Sequence, residues 1–310
     1  MGTRRVLVTG CSSGIGLAVA ARLAKDELKR FKVVATMRDV EKRAALETAA
    51  GEVPGGSLEI HQLDVCCEDS IRECVNSLPD RRLDILVSNA GMGMIGPLEC
   101  QSVKDMQDVF NTNFFGLVRL VKEVLPDMKR RQSGHIVVMS SVMGVQGVLF
   151  NDVYAASKFA VEGLCESLAV QAMKFNIKMT LVEPGPVLTE FERKVYEDAQ
   201  NMDLSTTDDE TARIFREIYL PYSEKVFSSH SQSPEEVAEQ TFQLIVSKDP
   251  PFRHQTNRLY TPMTTMKHAD PTGRLPLDAF YKLIFQYDRV FNASLGIMRL
   301  LQRRKRKFKV

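Results

Sequence analysis

Three residues in the middle of the chain have the types and spacing to move a proton. Tyr154 and Lys158 stand four positions apart in Tyr154-Ala155-Ala156-Ser157-Lys158, so on a helix they share one face. An ammonium beside a phenol favours the phenolate and lowers the tyrosine pKa. A tyrosine so placed can pass a proton to or from a substrate oxygen near neutral pH. Ser141 comes earlier, just after the apolar run Ile136 to Met139. That run reads as a buried strand, so Ser141 would sit at its C-terminal end, where open parallel sheets hold ligands. The Tyr-Lys spacing also occurs on ordinary surface helices and does not stand alone.

The second feature is at the start of the chain. Residues 4–16 read RRVLVTGCSSGIG, a short apolar strand running into a glycine turn and then an apolar-periodic segment from Leu17 to Leu28. Glycines there permit a tight turn and let backbone N–H groups approach a pyrophosphate at a helix N-terminus. Thr9, Gly10, Ser12, Ser13, Gly14, Ile15 and Gly16 are therefore candidate dinucleotide contacts. The second strand, Lys32 to Met37, ends in Arg38-Asp39. An acid at that position would bond a free ribose 2′-hydroxyl, whereas Arg38 suits a 2′-phosphate. NADP(H) is the expected cofactor, with Asp39 a competing influence. Asp64 and Val65 close the third strand near the adenine. Asn89, Ala90 and Gly91 end the fourth, small enough for a cofactor to lie against backbone.

Strands expected at residues 6–8, 32–37, 58–63, 83–87, 136–139 and 178–182 alternate with helices at 17–28, 40–50, 68–77, 103–122 and around Tyr154. This alternation predicts an α/β fold, a doubly wound parallel (Rossmann) sheet. The sixth strand leads into Pro184, Gly185, Val187 and Thr189. Residues 190–230 are charged and irregular, and are expected to form helices and a substrate lid. Ser233-Pro234-Glu235-Glu236 opens a helix to about Ser247, and a last strand is expected at 257–260. One domain, residues 1–269, is expected, with a helical extension over 270–310.

The 310 residues are 44% hydrophobic and 26% charged, with a net charge of +2. These values fit a soluble globular protein and give no general basic character for nucleic acid. The six cysteines show neither a Cys-x-x-Cys pair nor zinc spacing, so no metal is expected. No export signal is visible, and free thiols on the cytoplasmic side are the expectation. Arg299 to Val310 holds seven Lys/Arg and no acid, next to Leu295, Ile297, Met298, Leu300 and Leu301. Residues 291–310 thus suit a basic helix lying peripherally on an anionic membrane. With no cysteine after Cys165, that attachment is expected to be salt-sensitive.

Assembled, TGCSSGIG (9–16), Asp64, NAG (89–91), NTN (111–113), Ser141, YAASK (154–158) and PGPVLT (184–189) resemble the short-chain dehydrogenase/reductase family. The resemblance implies that Asn113, Ser141, Tyr154 and Lys158 act together. Tyr154 would be the acid in reduction, Lys158 would lower its pKa and bind the nicotinamide ribose, Ser141 would hold the substrate oxygen, and Asn113 would anchor a water. Met143, Val145, Leu149, Val187 and Phe191, with Ser141, are the expected substrate pocket. The segments ATMRD, LPDMKRR and FNDVYAASKFAVEGLCESLAV are similar to the branch acting on retinoids and 17β-hydroxysteroids. That implies NADPH-dependent reduction of all-trans-retinal, with estrone-type ketosteroids as the alternative, by a homodimer.

Overall fold

The computed structural model describes residues 2–53 and 56–286. Strands β1 (Arg4–Thr9), β2 (Phe31–Met37), β3 (Leu58–Gln62), β4 (Ile85–Ser88), β5 (Gly134–Met139), β6 (Ile177–Glu183) and β7 (Arg253–Gln255) form one sheet. Its order is β3-β2-β1-β4-β5-β6-β7, and every pairing is parallel. Strands buried on both faces need apolar residues at successive positions. In β1, Val6 and Val8 pack into one core while Leu7 packs into the other.

Helices α1 (Gly14–Ala24), α2 (Ala44–Ala50), α3 (Glu68–Asn76), α4 (Val103–Phe110), α5 (Gly116–Arg131) and α6 (Asp152–Met173) follow the strands. After β6 come α7 (Glu190–Gln200), α8 (Asp209–Arg213), α9 (Leu220–His230) and α10 (Pro234–Val246). Helices α11 (Thr261–Ala269) and α12 (Arg274–Phe285) follow β7. One core joins the sheet to α1 and α10, and the other joins it to α3, α5 and α6. Strand order reverses between β1 and β4, which places the ligand crevice at their C-terminal ends.

Two expectations change. The helix expected at 103–122 runs on to Arg131, with a π-helical turn at Asn111–Phe115. The last strand is Arg253–Gln255, while Arg258–Tyr260 is a 3₁₀ turn capped by the Asn257 side chain, which accepts from Leu259 N at 3.1 Å. That local bond outcompetes a sheet ladder. Residues 190–230 are largely helical, as expected, and contribute to a core of their own in which Phe150, Phe215 and Tyr219 pack. The extension expected from residue 270 turns helical at Arg274, with Pro276 tolerated in the first turn of α12. The basic tail expected at 291–310 lies outside the described residues.

Candidate active site

β5 delivers Ser141 to the crevice, as its position after the apolar run predicts. Its Oγ accepts from Met143 N at 3.1 Å, lies 3.5 Å from Pro184 O and bonds the Tyr154 phenol. Tyr154 and Lys158 come from the first turns of α6. Lys158 Nζ lies 5.7 Å from the centre of the Tyr154 ring and donates to Met139 O at 2.9 Å. Burial lowers the Lys158 pKa to about 8, partly offset by the Glu162 carboxylate one turn along. Tyr154 moves opposite to the sequence expectation. Burial raises its pKa, the Glu192 carboxylate adds to the rise, and the Ser141 bond only partly opposes it. Desolvation of the phenol is the largest cause. The phenol is thus a proton-loaded donor at neutral pH.

Asn113 is buried in the π-helical turn. Its Nδ2 donates to Met92 O and to Ser157 Oγ, each at 2.9 Å, and its Oδ1 accepts from Met92 N at 2.7 Å. Both amide hydrogens are engaged, so a water anchored here would have to donate to an acceptor, the second lone pair of Oδ1 or the backbone carbonyl. The side chain ties the loop after β4 to α6.

The glycine turn fits a dinucleotide. Gly10 and Gly14 have φ of +72° and +59°, backbone that side chains disfavour. Ser13 precedes α1 without making a capping bond, and the first turn holds no acid, which leaves the helix N-terminus open to phosphate. Ser12, Ser13, Gly14 and Ile15 line the cavity with Gly10. Thr9 and Gly16, expected as contacts, do not line it. Thr9 Oγ1 accepts from Asn89 N and Ala90 N at 2.9 and 3.1 Å, buckling β1 to β4. A Cβ on Gly16 would fall 2.3 Å from Gly10 O. Its lack of a side chain lets α1 pack under the turn.

Arg38, Asp64, Val65, Asn89, Ala90, Gly91, Pro184, Gly185, Val187 and Thr189 all line the same cavity. Arg38 is exposed, and its side chain has no ion pair among the described residues. Asp39 is occupied elsewhere: its carboxylate accepts from Glu41 N at 3.1 Å and pairs with Lys42 at 3.9 Å. Asp64 Oδ1 accepts from Cys66 N at 2.9 Å.

The cavity measures about 370 Å³. Of the expected substrate wall, Ser141, Met143, Leu149, Val187 and Phe191 line it. Val145 does not. It closes the short turn Val142–Gly144 and is buried away from the opening. Sequence reading missed Glu192, Tyr222, Tyr260, Phe280 and Ile284, all of which line the cavity. Phe280 and Ile284, four apart, carried a helical signal, but nothing in the sequence showed where α12 would pack. Glu192 is half-buried on α7, its pKa raised by burial to about 7.

Comparison with known proteins agrees with this geometry. Residues 4–200 match the short chain dehydrogenase family. Retinol dehydrogenase 8 of Bos taurus is 53% identical over 292 residues, 94% of each chain. The 17-beta-hydroxysteroid dehydrogenase type 1 of Homo sapiens is 44% identical, over 90% of this chain and 85% of that one. Among solved structures, a short-chain dehydrogenase from Streptomyces avermitilis superposes with a TM-score of 0.71 at 25% identity, covering 94% and 98%. A serine dehydrogenase complexed with NADP+ gives 0.66 at 29% identity, covering 81% and 93%. The matched motifs, the parallel sheet and the shared length make this chain an oxidoreductase of the short-chain dehydrogenase/reductase family.

Proposed function

We propose that the chain reduces all-trans-retinal to all-trans-retinol with NADPH. The observation that carries the reading is the cavity. It has Ser141 and Tyr154 among its walls and is closed by apolar side chains from α6's approach loop, the lid and α12, such as Leu149, Phe191, Phe280 and Ile284. An apolar slot with a polar end suits a long polyene aldehyde. The identity to retinol dehydrogenase 8 supports the same substrate class. Arg38, without an ion pair among the described residues while Asp39 is engaged with Glu41 N and Lys42, supports the 2′-phosphate of NADPH.

When bound, the nicotinamide supplies the hydride that the carbonyl carbon accepts. Ser141 Oγ holds the carbonyl oxygen, and Tyr154 gives that oxygen its proton, so aldehyde becomes alcohol. The raised pKa of Tyr154 keeps that proton available. Lys158, charged below about pH 8, stabilises the phenolate left behind. Estrone-type ketosteroids are the second reading, favoured by the steroid relatives and by Glu192, Tyr222 and Tyr260, which offer polar contacts for a second oxygen. We further place the protein peripherally at the cytoplasmic face of a membrane through residues 291–310, as a homodimer. Support for these is the basic apolar tail sequence and the exposed Phe115 and Phe159 on α5's approach and α6.

Turnover of all-trans-retinal and of estrone with NADPH tests the reading, with Tyr154→Phe as the blank. Retinal is expected to react faster, and the blank to lose roughly 100- to 10,000-fold. Faster estrone turnover would transfer the assignment to the steroid branch, and turnover of neither would remove the substrate assignment.

A further inference from the structure

Behind the proton-transfer residues stands a buried charge cluster that the reaction above does not use. The side chains of Glu162 on α6 and Glu183 at the end of β6 are 5% and 1% exposed. Arg253 of β7 lies between them. Its Nη1 donates to Glu162 Oε2 and, at 2.8 Å, to Glu183 Oε1, while its Nη2 donates to the exposed Glu166 at 2.5 Å. Glu162 accepts on its other oxygen from Ser140 Oγ. Gln255 Nε2 continues the network, lying 3.2 Å from Glu183 Oε2 and 2.8 Å from Thr264 Oγ1 on α11.

One arginine cannot balance two buried carboxylates, and buried charge without a counter-charge is costly. Among the described residues the one buried lysine or arginine is Lys158, one helical turn before Glu162 on the same face of α6. Counting Lys158 closes the balance at two cations and two anions. The cluster also touches the turn that holds Ser141. Ser140 precedes it directly, and a Cβ on Gly144 would fall 2.7 Å from Ser140 Oγ and 2.8 Å from Glu162 Cγ.

We propose that Glu162, clamped by Arg253 and Ser140, is the counter-charge of the Lys158 ammonium and the support of the Ser141 turn. Glu162 and Arg253 are positioning residues, and the proposal rests on the reductase reading. The groups facing Glu162 are Arg253 from β7, Glu183 from β6, Ser140 after β5, and Lys158, Cys165 and Glu166 on α6. Burial lifts Glu162 to about 7, and its bonds to Ser140 and Arg253 pull it back. Lys158 keeps its proton to about 8, so both are charged in the window between.

Glu162→Gln keeps the shape and removes the charge. The basic limb of the reductive pH profile is expected to move down by about one pH unit, the size of a nearby opposite charge. Arg253→Met is expected to lower kcat tenfold or more with KM and NADPH affinity within twofold. Arg253→Lys should recover only part, because it lacks the guanidinium fork. Glu166→Gln is the exposed control and should leave the profile in place.

A readout without substrate separates failure of this proposal from failure of the reductase reading. Lys158 holds its proton less tightly folded, at about 8, than unfolded, at 10.5, so the unfolded chain binds more protons between those values. Stability therefore rises with pH across that window. In Glu162→Gln the rise in Tm should begin at lower pH, and Lys158→Met in the same background should abolish the difference. An unmoved pH profile and an unmoved Tm window overturn the proposal. So does a loss of NADPH binding in Arg253→Met that matches the loss in kcat. If Glu162→Gln does not fold, Arg253→Met alone decides on the split between kcat and KM.

Discussion

Arg38 and Asp39 are neighbours with different tasks. Asp39 caps a short turn, and Arg38 is left facing the crevice without an ion pair among the described residues. Arg38→Ala is therefore expected to raise the KM for NADPH about 10- to 100-fold, the loss of one or two charge-assisted bonds of about 1.5–3 kcal/mol. The KM for NADH should hardly change, and steady-state titration of both cofactors checks it. Lys158 sets a second residue-scale expectation. Charged below its pKa of about 8, it should leave reductive kcat/KM flat up to that pH, with a fall of about tenfold per unit above it. Ser141, Tyr154 and Lys158 were legible because their positions depend on one strand end and one helical turn. The Tyr154 pKa was not, since it depends on walls brought from α7 and the loops. Val145 was misplaced for the same kind of reason: a single short turn decides which way it points.

Element by element, the legible signals were those in which side chain and backbone agree locally. Ser233-Pro234-Glu235-Glu236 starts the expected helix and closes a capping box, in which Ser233 Oγ accepts from Glu236 N at 3.1 Å and the Glu236 carboxylate accepts from Ser233 N at 2.9 Å. The helix it starts, α10, packs on α1, beneath the glycine turn. Arg22 reaches Glu239 at 2.5 Å and lies 3.6 Å over the Phe242 ring. Ser233→Ala should cost about 1 kcal/mol, read as a fall in Tm of about 2–4 °C. Turnover at 25 °C should be unchanged because nothing in the crevice moves. A large activity loss would mean that α10 positions the turn. The π-helical turn at Asn111–Phe115 and the 3₁₀ turn at Arg258–Tyr260 had no comparable signal. Each is set by contacts from outside its own segment or by a single side-chain bond.

Across the whole molecule, the parallel sheet was legible because both of its faces demand apolar runs, and such runs are visible without coordinates. The role of the C-terminal segment was not. Read as an extension beyond residue 269, it also lines the cavity, with Phe280 and Ile284 of α12 reaching the same space as Tyr154. Two truncations separate the segment's tasks. A chain ending at Phe285 keeps the cavity wall and loses the basic tail. Its kcat and KM for retinal in detergent should match the full chain, while adsorption to anionic vesicles should be lost. In the full chain that adsorption should fall steeply with salt, each basic residue near the surface contributing about 1 kcal/mol. A chain ending at Ala269 also loses Phe280 and Ile284. Its KM for retinal should rise about tenfold, equivalent to about 1.4 kcal/mol of apolar contact, with NADPH affinity held because the glycine turn, Arg38 and Asp64 lie on other elements. Unchanged KM in that shorter chain would mean that substrate does not reach α12 and that the apolar slot is shorter than its walls. Equal vesicle binding by the full chain and the Phe285 chain would move membrane contact off the basic tail and onto the folded domain.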